Sequence, residues 1–169
     1  MKKNQTTEPS RIFAVSLSSR GFGYAVVEGN DRLVDYGKKV FDDNKNVRSL
    51  AHIEKIITRS QPDVLVLQDV NAKGTRRDPR IKELHRKVVA LAKHHRIKAV
   101  TISGTALRTA LLGNPKGTKH EMAEVLATWF PDELASRLPP KRRDWTSEDA
   151  RMDIFDAVGL AAVARKQKT

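Results

Sequence analysis

The chain predicts an α/β fold, and three observations carry that prediction. Its opening stretch alternates residue faces with the period of two that marks strands, broken by glycine-bearing turns. Further on, segments with apolar residues at helical spacing alternate with short, almost wholly apolar runs of the kind that form strands covered on both faces. The 169 residues suffice for one domain with a single sizeable core and fall short of two. One domain is therefore expected over residues 11–165, with an N-terminal tail over 1–10 and a basic tail over 166–169.

In the first strand Ile12, Ala14 and Ser16 alternate with Phe13, Val15 and Leu17, and after Arg20-Gly-Phe-Gly23 a second β-prone run covers residues 24–27. Ser16 is the anomaly, because a polar residue at the carboxyl end of an apolar central strand either bonds back to its loop or faces a site. A third strand over 32–41, entered through the turn Gly29-Asn-Asp31, completes an antiparallel meander. Leu50, Ile53, Ile56 and Ile57 then mark a helix over 46–60. The run at 63–68 is the next strand and ends in Gln68 and Asp69; by parity Gln68 shares a face with Val64 and Val66, and Asp69 points the other way.

A loop leads to a helix over 79–95, with Pro79 at its first position and Ile81, Leu84, Val88 and Leu91 as its buried stripe. A strand over 97–102, a short helix over 104–112 and a glycine-containing turn follow. Thr118 and Glu121 form a capping box for a helix whose stripe runs through Met122, Val125, Leu126 and Phe130. Beyond Leu138-Pro-Pro140 comes a basic connector, Lys141-Arg-Arg143, and then Trp145. Thr146-Ser-Glu-Asp149 reads as a second capping box, opening a last helix that runs to about residue 165. On that helix Asp149, Asp153 and Asp156 fall at i, i+4 and i+7, on one face. Like charges so stacked are unfavourable without a cation. Asp149 is accounted for as a cap and Asp153 as a partner of the helix dipole, whereas Asp156 has no structural excuse and reads as functional.

Composition narrows the function classes. Lys plus Arg number 32 against 20 Asp plus Glu, giving a formal charge of +12 and a pI near 10.2, so a polyanion, above all nucleic acid, is the expected partner. From residue 73 to 98 there are ten bases and only two acids, Asp78 and Glu83, which reads as a phosphate-binding footprint. The absence of cysteine excludes disulfides, thiolate metal sites and cysteine nucleophiles, and agrees with a cytoplasmic, nucleoid-associated protein. No apolar run approaches a membrane span and residues 1–10 lack the apolar core of a signal peptide, so no membrane partner is expected.

These residues together carry a resemblance. Val15-Ser-Leu-Ser-Ser-Arg-Gly-Phe-Gly-Tyr-Ala-Val-Val27 resembles the opening of RuvC-type Holliday junction resolvases. Pro62-Asp-Val-Leu-Val-Leu-Gln68 is similar to that family's strand ending in a catalytic glutamate, and Asp153-Ile-Phe-Asp156 to its terminal Asp-x-x-Asp helix. Lys116-Gly-Thr-Lys119-His-Glu-Met is similar to its lysine-containing helix start. The resemblance implies an RNase H-like (RuvC-like) fold with a mixed five-stranded sheet flanked by helices, and a homodimer that grips four-way DNA junctions. It also implies a site in which four carboxylates hold two Mg²⁺ or Mn²⁺ ions, hard cations that favour anionic oxygen.

Two of the four positions depart from the pattern, since Ser16 and Gln68 stand where carboxylates are expected and leave Asp153 and Asp156 as the metal ligands. Asp69, through a strand bulge, and Asp149 are the possible substitutes. Where the family places a stacking aromatic beyond the second position, this chain has Asn71. The basic equipment remains: Lys73, Arg76, Arg77 and Arg80 near the loop, Arg108, Lys116 and Lys119 at the site rim, and Lys141, Arg142 and Arg143 on a longer insertion. Trp129 and Trp145 are candidates to stack on bases. The expected function is a branched-DNA-binding protein with degenerate or lost two-metal nuclease activity, needing no cofactor. The alternatives are an active, Mg-dependent crossover junction endodeoxyribonuclease with a non-standard acidic set, and a non-catalytic nucleic-acid or protein scaffold.

Overall fold

The computed structural model describes residues 10–29, 32–71 and 78–166. The expected N-terminal tail up to residue 9, the centre of the turn after Gly29, the loop bases Lys73, Arg76 and Arg77, and the end of the basic C-terminal tail lie outside the described residues. The chain runs β1 (Arg11–Leu17), β2 (Gly21–Glu28), β3 (Arg32–Val40), α1 (Lys45–Ser60), β4 (Val64–Gln68), α2 (Pro79–His94) and β5 (Lys98–Ile102). It continues through α3 (Gly104–Leu112), α4 (Lys119–Trp129), the single turns α5 (Pro131–Leu134) and 3₁₀ Ala135–Arg137, and α6 (Met152–Lys166).

The sheet has five strands in the order β3-β2-β1-β4-β5. The meander β1-β2-β3 is antiparallel, while β4 joins β1 and β5 joins β4 in parallel, so the sheet is mixed. Strand parity divides the core in two. Ile12, Ala14, Val64 and Val66 face α3, α4 and α6, whereas Phe13, Val15, Leu65 and Leu67 face α1 and α2. The stripe of α2 is spent on this second half, with Ile81, Leu84 and Val88 buried there. Among the described residues no helix is long and apolar enough to cross a membrane.

Central helix α6 is apolar nearly all round, as a helix packed between sheet and further helices must be, and it lies across β1 and β2. Gly23 permits the approach: a Cβ there would stand 2.0 Å from the carbonyl oxygen of Asp153. This close approach lowers the first turn of α6 onto the end of β1, where Ser16 lies.

One boundary departs from the sequence expectation. The last helix begins at Met152 rather than near Thr146. The Thr146 hydroxyl donates to the Arg143 carbonyl at 2.9 Å and accepts from the Arg143 amide at 3.2 Å, so it closes a loop turn instead of capping a helix. Asp149 accepts from the Arg151 amide at 2.9 Å and supplies the carbonyl that receives the Met152 amide. It thus terminates the connector, and the expected one-face alignment of Asp149 with Asp153 and Asp156 does not form.

Candidate active site

The carboxyl ends of β1 and β4 lie side by side, with Val15 opposite Leu67, so Ser16 and Gln68 stand one step further along adjacent strands. Around Ser16 a cleft opens between the β1–β2 loop, the start of α4, the connector and the first two turns of α6. Its acids are Asp78, which caps α2, and a cluster of Glu148, Asp153 and Asp156, each of the three offering an oxygen within 4.8 Å of the others. Its cations are Arg20 and Lys119.

Asp153 is 2 % exposed and fully engaged. The Ser18 hydroxyl donates to one carboxylate oxygen at 2.9 Å and the Arg20 guanidinium to the other at 2.9 Å. Burial raises the Asp153 pKa above the usual carboxylate value, against the opposing pull of Arg20 and the Ser18 hydrogen bond. Asp156 is pushed up to about 6, chiefly by burial, with Lys119 holding it down and the neighbouring charges of Glu148 and Asp153 adding to the rise. The Lys119 ammonium lies between two acids, 3.2 Å from Glu148 and 3.4 Å from Asp156. Burial works to lower its pKa, but the two carboxylates outweigh that and leave it raised.

The Ser16 side chain lines the same cleft, is 4 % exposed, and its hydroxyl makes no hydrogen bond with another described residue. Three anionic oxygens this close suit a single hard divalent cation, and the Lys119 ammonium now neutralises two of these acids. Gln68 is not among the residues lining the cleft and offers no ligand there for a second cation. Its amide instead lies against Gly104, where the Arg108 guanidinium also reaches.

Ser16, Asp153 and Asp156 are thus brought together as expected. The two substitutes are not. Asp69 accepts from the Asn71 amide at 2.9 Å in a tight turn and lies on the α2 side, where its charge acts on the buried His85; no bulge turns it toward the cleft. Asp149 forms two bonds with the Arg151 guanidinium, which hold its pKa down at about 2. The acid that joins the cluster is Glu148, which sequence reasoning consumed in a capping box. Its signal was weak, because a position five residues before Asp153 matches no helical face; it reaches the cleft only because the chain is not helical there. Arg20 was likewise read as turn backbone, although a lone cation four residues past Ser16 was visible.

Several of the bases expected on the DNA-binding surface have local tasks. Arg80 donates to the Asn46 side-chain oxygen at 2.8 Å and to the Ser19 carbonyl at 3.3 Å, bracing the β1–β2 loop. Arg108 donates to the Gly117 carbonyl at 3.0 Å. Lys119 stands at the rim with its side chain 43 % exposed, and its ammonium is the counter-ion of Glu148 and Asp156. Lys116, Lys141, Arg142 and Arg143 are exposed.

With this geometry in view, the fold is the RNase H-like one in its RuvC-like form. Thermus thermophilus RuvC has a solved structure that matches 95% of this chain and 98% of its own, with 15% identity and a TM-score of 0.69. The T. thermophilus RuvC in complex with Holliday junction substrate matches over 94% of each chain, with 13% identity and the same TM-score. No family model and no curated protein matches the chain.

Proposed function

We propose that this chain binds branched DNA, four-way junctions foremost, and that Arg20 and Lys119 hold its acidic cleft together where a RuvC-type nuclease would use two metal ions. The observation that carries this reading is the Lys119 ammonium seated between Glu148 and Asp156 while Arg20 closes on Asp153. An ion pair thus reaches each of the three clustered carboxylates. Ser16 and Gln68 meanwhile bring no charge to the two positions where the RuvC resemblance implies acids. The fold shared with a RuvC solved on a Holliday junction, and a net charge of +12, support the DNA partner. A homodimer belongs to the same reading, though the inner stripe of α2 is committed to its own core and a partner would meet other residues of that helix.

One observation favours a second reading, a nuclease working with one divalent ion: the three carboxylates do converge within 4.8 Å. A single experiment divides the two. Four-way junction and linear duplex of equal length are titrated at several salt concentrations, then incubated with Mn²⁺ alongside Asp156→Asn. Tight, salt-sensitive junction binding without cleavage is the expected result. Cleavage by the unmodified protein that Asp156→Asn abolishes establishes the second reading, and equal, weak binding to both DNAs overturns the first.

A further inference from the structure

Residues 138–151, the connector between the 3₁₀ turn and α6, cover a cavity of about 620 Å³ against the start of α4. That is the size range of sites for small ligands. Pro139, Pro140 and Met152 give it an apolar lining, and Lys141, Arg142 and Arg143 give it a cationic one. Of the nearby acids, Glu148 is spent on Lys119 and Asp149 on Arg151, so Asp144 alone stands against the three bases and their net charge remains positive. Arg142 donates its Nε proton to the Thr146 carbonyl at 2.6 Å, which fixes the side chain while leaving the end of its guanidinium without a described partner.

Trp145 stands on the same connector, 77 % exposed, the most exposed large hydrophobic among the described residues. An indole in water forgoes the burial that a ring of this size ordinarily gains. The Arg143 guanidinium lies 5.6 Å from its ring centre, a distance at which cation and aromatic face attract. Lys119 and Glu148 line both this cavity and the acidic cleft, so the two sites share a wall.

We infer that the connector is a binding site for an unpaired nucleotide of a DNA strand lying beside the acidic cleft. Trp145 stacks on the base and Lys141 to Arg143 neutralise the flanking phosphates. A base inside an intact duplex is already stacked on its neighbours and cannot offer its face to an indole, so the site selects DNA with unpaired positions. This rests on the DNA-binding reading above and adds to it which structural feature is recognised and by which residues.

The test uses the whole chain with Trp129→Phe, which leaves Trp145 as the sole tryptophan. Its fluorescence is followed while a linear duplex, or the same duplex carrying a bulge of unpaired thymidines, is added at fixed salt. Quenching by the bulged DNA and not by the intact duplex is expected. In the otherwise unmodified chain, Trp145→Ala should weaken bulged-DNA binding about tenfold and leave duplex binding unchanged, while Trp145→Phe keeps most of the affinity. If both DNAs bind with silent Trp145 fluorescence, or Trp145→Ala weakens both alike, the stacking site is wrong and general DNA binding stands. If neither DNA binds, the stacking site falls, and the junction titration alone decides the DNA-binding reading.

Discussion

Asp156→Asn should make this protein more stable at neutral pH, the reverse of what removing one partner of an ion pair ordinarily does. A carboxyl that ionises near 6 in the folded chain and near 3.8 when free prefers to keep its proton in the folded state. Between those values the folded chain binds more protons than the unfolded one, so stability falls as pH rises from about 4 to about 6 and stays lower above that. At 1.36 kcal/mol per pH unit the full loss is an upper bound of about 3 kcal/mol. The side chain is 14 % exposed, so solvent screens little of it. Asparagine has the same shape and no charge to bury, and Lys119 keeps Glu148 as its partner. For a chain of this size, about 3 kcal/mol corresponds to roughly 6 to 12 °C in Tm. Urea unfolding with chelator present, at pH 4 and pH 7.5, measures it: the variant should gain at pH 7.5 and match the parent near pH 4. Equal stability at both values, or a loss at pH 7.5, would refute the reasoning that burial dominates at Asp156.

Removing the cation is the complementary perturbation. Lys119→Met leaves Glu148 and Asp156 facing each other, and should cost about 1 to 3 kcal/mol at pH 7.5, less than a fully buried pair because the Lys119 side chain is 43 % exposed. The cost should shrink as pH falls through 6 and be partly recovered by millimolar Mg²⁺, read as a Tm shift in calorimetry. Gly23→Ala drives a methyl into the Asp153 carbonyl, so it should lower stability by roughly 1 to 3 kcal/mol or more in urea titration, with a parallel loss of DNA binding if the cleft is displaced. Charge reversal of Lys141, Arg142 and Arg143 should flatten the dependence of log affinity on log salt by about 0.9 for each phosphate no longer neutralised, measured by fluorescence anisotropy.

Much of the fold was legible because periodicity is a local property. The alternation in residues 11–17, the apolar run ending at Gln68 and the helical stripes depend on near neighbours alone. Each reappears with its boundary moved by a residue or two, except the last helix, which starts six residues later than expected. The sequence also determined that Ser16 is anomalous and that Asp156 lacks a local reason to be acidic, since polar groups on apolar elements stand out without any knowledge of partners.

The charge inside the cleft could not be read that way. It depends on where Lys119, Arg20 and Glu148 meet, and these come from three segments far apart in the chain. Glu148 and Asp149 are adjacent and chemically alike, yet one neutralises Lys119 and the other closes on Arg151. That choice follows from the start of α6 at Met152, which turns the connector so that Glu148 faces the cleft. An ion pair is decided by distance in space, which only the packing of α6 against β1 and β2 provides.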